Sequence, residues 1–125
     1  MTDKFNSYRD LKVWQQAMLL AERIYEATKP YPKEEIYGLT SQMRRCSVSI
    51  AANIAEGYGR DSGGSFVQFL KIAQGSLKEL ETHAILSGRI GFLAEADLEE
   101  LLSSCDELGK MLGGLIRSVQ RKASN

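Results

Sequence analysis

The chain has no surplus of charge of either sign. Its 125 residues carry 16 Lys and Arg against 16 Asp and Glu, a formal net charge of zero. A dedicated nucleic-acid binder usually shows a basic excess, so any such function here must rest on a local patch. Long apolar runs are also missing, and none approaches the roughly 20 residues that span a bilayer. The opening residues, Met-Thr-Asp-Lys-Phe-Asn, lack the apolar stretch of a signal peptide. The expectation is a soluble, cytoplasmic protein whose thiols stay reduced.

Cysteine and histidine are scarce. Cys46 and Cys105 fall at apolar positions of helical patterns, where a thiol serves as a small buried hydrophobe. The single histidine is His83. A di-iron bundle needs Glu-x-x-His on two helices, yet Leu80 stands where the glutamate should be. Zinc needs about four ligands, and two cysteines on separate helices with one histidine are a poor set. A cysteine nucleophile with a histidine base conflicts with two core-facing thiols. No catalytic, cofactor-binding or metal residue is assigned, and an enzyme is not expected.

Strand signals are absent, because Val, Ile and Thr are sparse and nothing alternates with period two. Four segments show a helical period instead. The first spans about Tyr8 to Thr28, with Ser7 and Asp10 resembling a capping box. Its core face is Trp14, Ala17, Met18, Ala21, Ile24 and Tyr25. Pro30 and Pro32 end it, and residues 32–38 form at most a short turn of helix. The second spans about Leu39 to Glu56, followed by a glycine-rich loop over residues 57–64. The third begins at a Ser62 or Ser65 cap and continues to about Ser87, with Phe66, Leu70, Ala73, Leu77, Leu80 and Ala84 inward. Gly88 and Gly91 mark the next turn. The fourth spans about Ala96 to Lys122, with a seam of Leu98, Leu101, Cys105, Leu108, Leu112, Leu115 and Val119. Four helices with short loops predict an all-α, antiparallel up-down-up-down bundle in a single domain.

The second helix is unusual. Leu39, Met43, Cys46, Ile50 and Ile54 form its core side. Gln42, Arg45, Ser49, Asn53 and Glu56 form a polar stripe within an arc of roughly 80°. Val48, Ala51, Ala52 and Ala55 make a third side, too small and apolar for an ordinary solvated face. That side, with the stripe, is expected to meet another subunit. On the third helix Ser76, Glu79 and His83 form a parallel stripe. A buried charge needs a partner, so Arg45 is expected to pair with Glu79.

The loop over residues 57–64 fails the dinucleotide-binding pattern at Ser62 and follows a helix, not a strand. Its glycines are expected to turn the chain, although the third helix's N-terminus could still hold an anion near Arg60. Arg44, Arg60, Lys71 and Lys78 are the candidate contacts to RNA or DNA, the alternative being an ordinary charged face.

Several motifs together resemble a known family: Asp10-Leu11-x-Val13-Trp14-Gln15, Tyr31-Pro32-x-Glu34, Tyr37-Gly38-Leu39-Thr40-x-Gln42, Arg44-Arg45, Ser49-Ile50-x-x-Asn53-Ile54-Ala55-Glu56-Gly57-x-Gly59-Arg60, and Phe69-Leu70-x-Ile72-Ala73-x-Gly75-Ser76-x-x-Glu79-Leu80-Glu81. The chain is similar to the four-helix-bundle proteins named after reading frames in bacterial 23S rRNA intervening sequences. Cys46 stands where that family commonly has alanine. The resemblance implies a homopentameric ring. It also implies similarity to the accessory protein of diversity-generating retroelements, a more basic pentameric barrel that binds nucleic acid and a reverse transcriptase. Two functions stay open: a non-enzymatic pentamer that binds RNA or DNA, and an oligomeric protein–protein adaptor with no nucleic-acid binding.

Overall fold

The computed structural model describes residues 7–124, with four α-helices, two single 3-10 turns and no strand among the described residues. A 3-10 turn, Tyr8–Asp10, precedes α1, Lys12–Thr28. A second, Lys33–Glu35, precedes α2, Leu39–Tyr58. Then come α3, Gly63–Arg89, and α4, Glu95–Ser124. Among the described residues no helix is long and apolar enough to cross a membrane.

Helix α1 starts four residues later than its sequence signal. Ser7 Oγ accepts the Arg9 N–H at 2.9 Å and caps the 3-10 turn, while Leu11 is extended at φ −74°, ψ 126° and separates the two pieces. The buried face of α1 is Val13, Ala17, Leu20, Ala21, Ile24 and Thr28. Met18 and Tyr25, expected inside, are exposed, and Trp14 is half-buried. Ala17, Ala21 and Ile24 belong to both stripes. The true one is rotated so that Val13 and Leu20 enter the core.

In α2 the expected core residues Leu39, Met43, Cys46, Ile50 and Ile54 are all buried. Ala51 joins them, which removes it from the outer small-residue side where the sequence placed it. The glycine-rich loop is also shorter than expected. Helix α2 continues through Gly57 to Tyr58, so only residues 59–62 connect it to α3. A Cβ on Gly57 would lie 2.6 Å from Phe69 Cβ. This glycine therefore permits close helix approach and does not turn the chain. Of the two candidate caps, Ser62 acts, accepting the Ser65 N–H at 3.1 Å. Gly88 is likewise helical and packed, with a Cβ position 2.7 Å from Leu98 Cδ2. Gly91, at φ +86°, makes the turn, a conformation that favours glycine.

Leu70, Ala73, Leu77, Leu80 and Ala84 of α3 are buried as expected, with Val67 in place of the half-buried Phe66. In α4 the core line is Leu101, Cys105, Leu108, Leu112 and Ile116, whereas Leu98, Leu115 and Val119 are half-buried. The shift from Leu115 to Ile116 has a simple cause. A straight helix of 3.6 residues per turn drifts about 20° per heptad away from a 3.5-residue seam.

Each helix packs on its neighbour in sequence, and α1 closes on α4. No close backbone approach links α1 to α3 or α2 to α4 among the described residues. The α2–α3 seam runs from Tyr58 against Phe66, through Ser49 at Ser76, to Met43 at Ser87. The α3–α4 seam runs from Gly88 at Leu98, through Leu77 at Gly109, to Gly63 at Val119. Ile24, Met43, Ile50, Ile54, Leu70, Leu77, Leu80, Leu108 and Leu112 are fully buried. Each contributes about 1.5–3 kcal/mol of transfer free energy.

Two glycine substitutions separate packing from propensity. Gly57→Ala forces a methyl group against Phe69 and should destabilise the fold by about 1–3 kcal/mol. Gly75 has nothing within 4 Å of its Cβ position, so Gly75→Ala should stabilise by about 0.5–1 kcal/mol through helix propensity. Urea denaturation of both variants checks the opposite signs.

Candidate functional site

The two polar stripes meet at one point along the α2–α3 seam. Ser49 Oγ lies 3.0 Å from Ser76 Oγ. Asn53 Nδ2 donates to the Ser49 carbonyl at 2.8 Å and to Ser49 Oγ at 3.0 Å. Small hydroxyls let the helices approach and satisfy one another there. Away from this point the stripes open to solvent, and Gln42, Arg45, Glu56 and Glu79 are exposed.

The expected Arg45–Glu79 pair does not form. Glu79 Oε2 lies 3.5 Å from His83 Nε2, one turn along the same helix, and no ion pair involves Arg45 among the described residues. Glu56 pairs instead with Arg60 at 3.6 Å. The outer small-residue side of α2 reduces to Val48 and Ala52, both exposed, and the half-buried Ala55.

Cys46 reaches across the seam from α2. Its Sγ, a Glu79 carboxylate oxygen and a His83 ring nitrogen all lie within 4.8 Å of one another. Burial, then the hydrogen bond and charge of Glu79, push the Cys46 thiol up to about 12 against the opposing pull of Arg45. Burial and the charge of Glu81 do the same to Cys105, also to about 12. Of the residues given by sequence, Glu79 and His83 are therefore joined by one that periodicity placed only in the core.

The four candidate cations divide. Arg44 Nε donates to Thr28 Oγ1 at 2.9 Å, and its guanidinium lies 4.7 Å from the Tyr25 ring centroid. It binds α2 to α1. Arg60 pairs with Glu56 and sits over the Phe69 ring at 4.8 Å. Lys71 and Lys78 instead line a groove of about 620 Å³ between α3 and α4, together with Lys110 and Arg117. Asp106 is the single acid in that lining. Lys110 and Arg117 are not among the four cations expected from sequence, because only the packing of α4 on α3 brings them beside Lys71 and Lys78.

A second groove, about 750 Å³, lies between α1 and α4 and has the opposite charge. Glu22, Glu26, Asp97, Glu100 and Glu107 line it with Arg23, over Leu20, Leu101 and Leu108. Arg23 is held there by Ser104 at 2.7 Å and Glu100 at 3.8 Å. The balanced total charge thus conceals two polarised faces.

Residues 9–114 match the family model of the 23S rRNA-intervening sequence protein. A solved structure from Bacteroides thetaiotaomicron, a protein of unknown function from the S23 ribosomal protein family, is 25% identical. It covers 83% of this chain and 97% of its own, with a TM-score of 0.75. Comparison with curated proteins finds no match.

The two raised thiols set a pH dependence. Unfolded thiols ionise near about 8.5–9, whereas Cys46 and Cys105 hold their protons to about 12. The folded state binds more protons in between, so their contribution is complete below about pH 8.5 and is lost as pH rises towards 12. Unfolding free energy should fall across that window, and less steeply in Cys46→Ala. Urea titrations at a series of alkaline pH values measure it.

Proposed function

The chain belongs to the 23S rRNA-intervening sequence protein family, and from that premise we propose that it is a non-enzymatic, ring-forming bundle protein that binds nucleic acid. The bundle is antiparallel and up-down-up-down, a reading supported by the falling order of contacts along the α2–α3 and α3–α4 seams. The ring is a homopentamer, the assembly that the family resemblance implies.

The outer face of α2 and α3 is the subunit contact. Val48 and Ile72 are 46% and 51% exposed in the single chain, with Ala52 and the unpaired Arg45 beside them. Exposed apolar groups gathered on one surface suit a covered face better than a solvated one. A closing heterologous contact uses two different patches of each subunit, and this face supplies one.

The observation that carries nucleic-acid binding is the α3–α4 groove, where Lys71, Lys78, Lys110 and Arg117 face one Asp106. Lys78 and Lys110 also touch Glu81 and Asp106 at 3.2 and 3.4 Å. Such exposed pairs are weak and exchange readily for phosphate. Five copies of the groove round a ring convert weak phosphate contacts into multivalent ones. The adaptor reading is favoured by a different observation, the acidic, apolar-floored α1–α4 groove, which suits a protein segment carrying basic and apolar side chains.

Light scattering should give a mass near five times the 13.9 kDa chain. Ala52→Arg, a change at an exposed position, should break the assembly while circular dichroism keeps its helical signature. A monomer at high concentration would defeat the ring.

A gel shift with structured RNA should show binding at low salt that weakens steeply as salt rises. Lys71→Glu combined with Arg117→Glu should abolish it. No shift at low salt removes the nucleic-acid reading and leaves the adaptor.

A further inference from the structure

Cys46, Glu79 and His83 bring three chemically different donors together at the α2–α3 seam. We propose that these three side chains form a binding site for one divalent cation of the zinc class. Cys46 Sγ, a Glu79 oxygen and His83 Nε2 are the protein ligands, and a water completes the tetrahedron.

The geometry is close to what such an ion needs. Zinc sits about 2.0–2.3 Å from S, N and O donors, which places tetrahedral donors roughly 3.3–3.8 Å apart. His83 Nε2 and Glu79 Oε2 are already 3.5 Å apart, and all three donors lie within 4.8 Å of one another. Glu79 and His83 are successive turns of α3, so their spacing is fixed by the helix. Cys46 is fixed by its burial in α2. Closing the remaining gap takes a change in the Glu79 side chain, which is 54% exposed and free to move.

A second observation points the same way. His83 Nε2 is shut off from solvent and makes no hydrogen bond. The Glu79 oxygen at 3.5 Å is beyond the 2.7–3.2 Å of an ordinary N–H···O bond. A buried polar atom without a partner costs about 1–3 kcal/mol, and a coordinated metal satisfies it. The nitrogen faces the Glu79 carboxylate, and the Cys46 thiol lies within 4.8 Å of a nitrogen of the same ring.

The donor set selects the ion. A thiolate with an imidazole favours zinc or cobalt over magnesium or calcium, which prefer all-oxygen sites. A thiolate and a carboxylate neutralise a dication. On binding, the Cys46 thiol passes its proton to solvent and its sulfur pair to the metal, with no change of oxidation state. Arg45 lies close enough to act on Cys46 and opposes the cation. Its side chain is exposed and unpaired, so it can turn outward. Glu79 gives the site its opening to solvent.

The test uses the purified full-length chain, stripped with a chelator and titrated with cobalt(II) as a spectroscopic substitute for zinc. The expected result is one cobalt per chain, a thiolate-to-cobalt charge-transfer band, and its displacement by zinc. Cys46→Ala should lose the band and Cys105→Ala should keep it. His83→Gln and Glu79→Gln should each weaken binding by about tenfold or more, with helicity checked by circular dichroism. If Cys46→Ala does not fold, the wild-type band and its response to His83→Gln decide the matter. Absence of a band at excess cobalt overturns the site, as does a band that survives in folded Cys46→Ala or is unmoved by His83→Gln.

Discussion

The close approach of α2 to α3 is the constraint on which the other features depend. It is set at Gly57, where any Cβ would meet Phe69 at 2.6 Å, and maintained at Ser49 and Ser76, whose hydroxyls touch at 3.0 Å. Large side chains at these positions would push the helices apart. With the helices this close, Met43, Ile50 and Ile54 are sealed against Leu70, Leu77 and Leu80 in one core. The same proximity brings Cys46 within reach of the Glu79 and His83 turn. It also moves the polar stripe to the margin of the seam, where Asn53 folds back onto Ser49 and Arg45 is left outside.

Much of this architecture was legible in the sequence. The inward residues of α2 apart from Ala51, most of those of α3 and α4, and the meeting of two polar stripes follow from period alone. The errors have a common origin. Periodicity gives a residue's angle about its own helix, but not which neighbour that angle faces or how near the neighbour comes. Thus the α1 pattern places Met18 and Tyr25 inside, although the stripe through Val13 and Leu20 is the buried one. Gly57 and Gly88 were read as turns because glycine's conformational freedom is visible in sequence, whereas a close contact with Phe69 or Leu98 is not. Glu79 was matched to Arg45 across the seam because their stripes ran parallel. The helix spacing offered Glu79 a nearer partner in His83, one turn away. Cys46 was counted as a buried hydrophobe, which it is, while its neighbours on α3 lay beyond the reach of any single-helix pattern.

The redistribution of the cations changes where an anionic ligand fits. Arg44 and Arg60 belong to the most distinctive motifs, and both are engaged by the chain's own residues. Arg44 spans α2 to α1 through Thr28 and Tyr25. Arg60 closes the end of α2 over Phe69. Guanidinium groups suit such work because they stack on aromatic rings and donate in a plane. The motif around α2 is therefore better explained by assembly of the fold than by recognition of a ligand.

In the proposed nucleic-acid reading, recognition belongs to α3 and α4, where the glycines acquire a meaning. Gly109 and Gly113 line the basic groove with Gly75. Each glycine in a helix interior costs roughly 0.5–1 kcal/mol relative to alanine. Packing within the chain demands none of the three: Gly75 meets nothing within 4 Å, Gly109 only Leu77 at 3.6 Å, and Gly113 only the flexible end of Arg117 at 3.4 Å. Larger side chains there would fill the space between the helices and bury the stems of Lys71 and Lys78. Leaving the floor at backbone level keeps a channel open between two rows of cations. A chain of phosphates would suit that shape, a trough with charge on both walls, and of the two described grooves this is the one with a basic lining.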